Sequence, residues 1–82
     1  MGKPNAPEQR WDAAEAGAEL LREGLADAAI AVIEDILRAD PDNEYACHFL
    51  GAACFEKAAY ARSLKAYLRA IELSPGYLGA MV

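Results

Sequence analysis

The side chains in this chain that could do chemistry are few: two cysteines, Cys47 and Cys54, one histidine, His48, and the serines Ser63 and Ser74. The cysteines stand seven residues apart in a helical pattern, which stacks them on one face about 10 Å apart along the axis. A disulfide needs Cα atoms within about 7 Å, so the pair does not bridge and reads as two small buried hydrophobes. His48 points to a different face from the cysteines and no further ligand stands near, so no metal is expected. Neither His48 nor the serines belong to a recognisable nucleophile or acid–base motif, and there is no phosphate-cradling glycine loop and no HExxH. The expectation is a protein that is not an enzyme, with no catalytic residue and no cofactor.

Bulk properties narrow the partners. The 82 residues make one small domain, and a chain of that size buries roughly 60 to 65 % of its unfolded surface. Thirteen acidic residues against eight basic ones give a net charge of -5. With no Lys/Arg cluster, nucleic acid and anionic membrane are not expected as partners. No apolar run reaches the roughly 18 residues of a membrane span. The start MGKPNA lacks a signal peptide's apolar segment, and Ala6 stands where the myristoylation pattern wants Ser or Thr. A soluble cytoplasmic protein is the expectation.

The elements are all helical. Residues 1–9, with two prolines, read as a frayed flexible segment. A first helix over about 10–23 stops at Gly24, a residue suited to a left-handed helix end. A second, over about 26–39, carries Ala29, Ile30, Ile33, Ile36 and Leu37 as an amphipathic stripe and is closed by Asp40-Pro41. A third spans about 43–57 with Cys47, Leu50, Gly51, Cys54 and Phe55. A fourth spans about 60–73 with Leu64, Tyr67, Leu68 and Ile71, and Pro75 follows it as Pro41 follows the second.

Sliding the chain by 34 residues aligns Trp11 with Tyr45, Gly17 with Gly51, Ala18 with Ala52, Leu21 with Phe55, Ile30 with Leu64, Leu37 with Ile71 and Pro41 with Pro75. Size class and helix position are kept in each pair, so the chain is an internal repeat of two helix-turn-helix units. Gly17, Gly51 and Ala29 are small where helices in contact must come close, and Ser63, at the place matching Ala29, keeps that size.

With its 34-residue unit, "REGLADAAIAVI" and Asp40-Pro41 in the first copy, and Leu50-Gly51 and "FEKAAYARSLKAYLRAIELSP" in the second, the chain resembles the tetratricopeptide repeat (TPR) family. Ala13 and Cys47 depart from the usual large aromatic near the start of each unit, and Leu20 and Cys54 from the usual tyrosine. The resemblance implies two TPR-like repeats, at 10–43 and 44–77, forming a short right-handed α-solenoid. Residues 78–82 are then a remnant or the start of a further helix.

The third helix carries a second apolar stripe, Tyr45, His48, Ala52 and Phe55, centred roughly 130° from the first at about 100° per residue. Trp11, Ala14, Ala18 and Leu21 repeat it on the first helix. In proteins that the chain resembles, these places line a concave groove that holds a peptide. The resemblance thus implies a groove of Trp11, Ala14, Ala18, Leu21 and Arg22, then Tyr45, His48, Ala52, Phe55 and Glu56. Relatives that clamp a peptide carboxylate do so with Lys and Asn; here the matching places are Ala14, Ala18, His48 and Ala52, so an apolar segment is the expected ligand.

Two units are fewer than the three or so that stacked repeats usually need. The outer face of the fourth helix, Leu64, Tyr67, Leu68 and Ile71, lacks a cap, so self-association is expected, most simply as a twofold dimer, unless the chain is a fragment of a longer array. In the turn Lys57-Ala58-Ala59-Tyr60 a left-handed Ala58 would cost about 1 kcal/mol, which admits a domain-swapped form with 43–73 as one helix. Two classes of function stay open. One is a protein-binding adaptor, chaperone-like, holding an apolar segment of a client. The other is a structural oligomerisation module whose stripes are covered by its own copies.

Overall fold

The computed structural model describes residues 7–74, which form four α-helices and no strand: α1 Pro7–Arg22, α2 Ala26–Ala39, α3 Glu44–Glu56 and α4 Tyr60–Leu73. The helix α1 starts at Pro7, three residues before the expected position. Proline is tolerated in a first turn because its missing N–H has no intrahelical partner there and its φ is already helical. Residues 1–6 of the flexible segment, Pro75 to Gly76-Tyr77 of the second unit and the remnant 78–82 lie outside the described residues.

The helices form two hairpins, α1 with α2 and α3 with α4; α3 packs on both helices of the first hairpin, while α4 packs on α3 alone. Side-chain ion pairs tie α4 to α2 and to the loop that follows it, Arg62 to Glu34 and Arg69 to Asp42 at 3.2 Å. The hairpins therefore meet through α3, which lies against both α1 and α2, while α4 stands on its outer side. The 34-residue repeat of the sequence is a repeat of geometry.

The helix ends show this residue by residue. At the end of α1 the amide of Leu25 donates to the Leu20 carbonyl and that of Gly24 to Leu21. At the end of α3 Ala59 donates to Cys54 and Ala58 to Phe55, the same pair displaced by 34. This closing turn needs a left-handed residue, supplied by Gly24 at φ 79° and Ala58 at φ 61°. The chain therefore accepts the cost of about 1 kcal/mol at Ala58, offset in part by the Ala58 and Ala59 amides donating to the carbonyls of the last turn of α3. The single helix over 43–73 is not the conformation adopted. The ends of α2 and α4 also match, with the extended Asp40 and Ser74 donating their amides to the carbonyls of Ile36 and Ala70.

Within each hairpin a glycine fixes the approach. A Cβ at Gly17 would lie 2.4 Å from Cγ1 of Ile33, and one at Gly51 would lie 2.8 Å from the ring of Tyr67. Ile33 and Tyr67 are again 34 residues apart. The second hairpin gains a bond from this closeness, because the Ser63 hydroxyl donates to the Gly51 carbonyl at 2.7 Å. Close approach leaves little room between helices. Among the described residues the buried apolar ones are accordingly Ala14, Ala18, Ala29, Ala46, Ala53, Ala66 and Ala70, the two cysteines, and one large side chain, Ile33.

The hairpins are latched at one end by Asn43, which is 1 % exposed. Its Oδ1 caps α3 by accepting from the Ala46 amide at 3.0 Å, and its Nδ2 donates to the Arg10 carbonyl of α1, also at 3.0 Å. Arg10 reaches back to Asp40 at 3.1 Å and Glu44 at 3.5 Å. The start of α1, the end of α2 and the start of α3 are thus held by one polar cluster. Asn43→Ala is expected to lower stability in urea unfolding by about 2 kcal/mol, losing a cap and leaving a carbonyl without its donor. Asn43→Asp keeps the cap acceptor but not the donor, and should fall between the two.

Candidate functional site

Because α1 and α3 lie side by side, residues that are equivalent in the two units become neighbours. Trp11 meets Tyr45 edge-on with ring centroids 5.3 Å apart, and lies 5.8 Å from Phe49. His48 continues the series at 5.4 Å from Phe49 and 5.5 Å from Tyr67. One run of rings, Tyr45, Trp11, Phe49, His48 and Tyr67, therefore crosses from α1 over α3 to α4. Such edge and tilted contacts are favourable beyond their buried area.

The structure distributes the expected groove residues unevenly. Trp11, Tyr45 and His48 come together, with Trp11 still 40 % exposed and the other two half-buried. Phe55 stands apart, 59 % exposed, and pairs with Tyr60 across the α3–α4 turn at 5.3 Å. Leu21 and Ala52 are half-buried. Arg22 and Glu56 are exposed at the matching C-terminal ends of α1 and α3, Arg22 paired with Glu19 at 3.0 Å. Ala14 and Ala18 need correction as contact residues: at 0 % and 4 % exposure they are packed beneath the surface. Ala14 shares the buried cluster with Ala46 and Ala53 of α3, where its small size suits the close approach of the two helices.

Three residues of this surface escape a reading by single stripes. Phe49 sits four residues after Tyr45 and three before Ala52, so it shares their side of α3, yet it lies between the two stripes counted in the sequence. Tyr60 is the first residue of α4, beyond the range of the α3 stripes. Tyr67 was expected on the outer face of α4, but it turns inward onto Gly51 and His48. The 34-residue match of Tyr67 with the core residue Ile33 is the signal that places it there. The outer face of α4 that remains is Leu64, Leu68 and Ile71, at 59 %, 50 % and 43 % exposure.

On the other side, between α2 and α4, lies a cleft of about 280 Å³ with Leu37, Pro41, Cys47 and Leu50 in its walls and Lys65 and Arg69 at its edge. Cys47 and Cys54 are both free and buried. Burial pushes the Cys47 thiol up, with Arg69 opposing. A thiol so placed stays protonated at neutral pH and acts as a small hydrophobe. No helix of the described residues is long and apolar enough to cross a membrane.

Burial also lowers the pKa of His48 from its ordinary 6.5. The unfolded chain then takes up its proton at higher pH than the folded one, so the contribution of His48 to stability is complete above the unfolded value and declines as pH falls through it. Urea midpoints measured at about pH 7 and pH 5 should show a larger acid loss for the wild type than for His48→Gln. Comparison with models of known protein families gives no match, and no curated protein matches the chain, so the function of this surface is read from its own geometry.

Proposed function

We propose that the chain is a non-catalytic protein-interaction module whose α1/α3 face binds an apolar peptide or helical segment of a partner protein. The observation that carries this reading is the ring run Tyr45, Trp11, Phe49, His48, with Trp11 and Phe55 left exposed beside a core built of alanines. Rigid aromatic side chains offer large contact area at low entropic cost, which is why they dominate binding energies at interfaces. The resemblance to TPR proteins supports the same face, since their first helices line the ligand surface. It suits a chaperone-like adaptor or scaffold of the cytoplasm.

An apolar ligand is favoured over a captured carboxylate. The clamp places are occupied by Ala14, Ala18, His48 and Ala52, of which two are buried alanines and none carries a fixed positive charge. Arg22 and Glu56 supply one charge of each sign at the rim. A displayed peptide library panned against the purified protein should return segments with two or more apolar or aromatic anchors, and their binding should shift Trp11 emission to the blue. Tyr45→Ala and Phe55→Ala should each weaken a selected peptide by about tenfold. Selection of acidic C-terminal peptides, or binding that leaves Trp11 emission unmoved, would contradict the reading.

A second reading, self-association as an oligomerisation module, is favoured by Leu64, Leu68 and Ile71, which form one exposed stripe on α4. In the first unit the matching Ile30 and Leu37 are partly buried against the core. Sedimentation velocity at micromolar concentration should show a dimer; a stable monomer would sink this reading.

A further inference from the structure

The stripe on α4 has a spacing that says more than that it is uncovered. Ala61, Leu64, Leu68 and Ile71 are separated by three, four and three residues, the a/d rhythm of a helix that pairs with another helix. In that rhythm Leu64 and Ile71 are d positions, and the residues directly after them, Lys65 and Glu72, fall at e. Both are exposed, and their charges are opposite.

One possible cover is the continuation of the stack, with α1 of a second copy lying on α4 as α3 lies on α2. The structure argues against it. The helix α3 joins the core through Ala46 and Ala53, with Tyr45, Phe49 and Leu50 packed against it. The equivalent residues of α1, 34 positions earlier, are Asp12, Glu19, Trp11, Glu15 and Ala16, all exposed. Seating three carboxylates on Leu64, Leu68 and Ile71 would desolvate them against an apolar surface. The outward face of α1 is a polar end to the stack, and it leaves α4 without a head-to-tail partner.

We infer that α4 pairs with α4 of a second copy, antiparallel about a twofold axis beside Leu68, with Lys65 facing the partner's Glu72 on the same side of the seam. The inference rests on the self-association reading and specifies its surface and register. Antiparallel helices bring e positions opposite e positions, so the twofold makes the Lys65–Glu72 pair twice. A parallel pair would instead set Lys65 beside the partner's Tyr60 and Glu72 beside the partner's Tyr67, and would make neither ion pair. The charges at the edge thus select one orientation, as flanking charges do in paired helices generally. The seam uses none of Trp11, Tyr45, His48 and Phe49, so each copy keeps its ring surface.

Sedimentation equilibrium on the full chain separates the parts of this claim. Lys65→Glu and Glu72→Lys each place like charges at both pairs and should raise the dimer dissociation constant by about tenfold. An equimolar mixture of the two variants restores opposite charges on both pairs and should dimerise as tightly as wild type. A mixture no tighter than either variant alone would overturn the antiparallel register. Leu68→Lys, at an exposed position where the monomer fold tolerates a charge, should abolish dimers while leaving the circular dichroism of the helices unchanged. A Leu68→Lys protein that still dimerises would overturn the seam while self-association stood, and a monomeric wild type would overturn both.

Discussion

Two glycines set the spacing on which the rest of this molecule depends. Gly17 and Gly51 let Ile33 and Tyr67 rest on the backbone of the neighbouring helix, at distances a Cβ would forbid. Helices that close leave room only for small residues along their line of contact, and alanine fills it in both units. The same approach brings Ser63 within bonding distance of the Gly51 carbonyl and carries the rings of α3 toward Tyr67.

A core of alanines has an energetic consequence. Each buried methyl contributes far less than the roughly 1.5 to 3 kcal/mol of a fully buried large side chain. The apolar bulk of the chain is displaced outward, to Trp11 and Phe55 on one side and to Leu64, Leu68 and Ile71 on another. These residues are only partly used by the single chain. Their full contribution comes when a second surface covers them, so binding and stability draw on the same side chains in this fold. Asn43 and Arg10 keep the hairpins in register meanwhile, using polar contacts that do not depend on apolar volume.

Much of this was legible in the residues. The 34-residue offset located both hairpins, the glycine contacts and the stops at Asp40 and Ser74, because backbone needs repeat wherever geometry repeats. Ala58 was harder: propensity argues against a left-handed alanine, and only the pair of hydrogen bonds that it closes explains why the turn forms there. Ala14 and Ala18 were placed on the binding face by their position in the repeat, whereas their depth depends on how near α3 comes. Phe49 and Asn43 were missed for a related reason. Each acts across units, Phe49 on Trp11 and Asn43 on the Arg10 carbonyl, and a contact between residues more than 30 positions apart leaves no local pattern.

The central claim is that the large apolar side chains of this protein lie at its surface to be covered, and that a second copy covers the face of α4. Unfolding in urea, followed by circular dichroism over a wide range of protein concentration, tests it most directly, since association stabilises a fold in proportion to the logarithm of concentration. The account predicts a midpoint that rises steadily with concentration. A midpoint that stays constant over the whole range would contradict it.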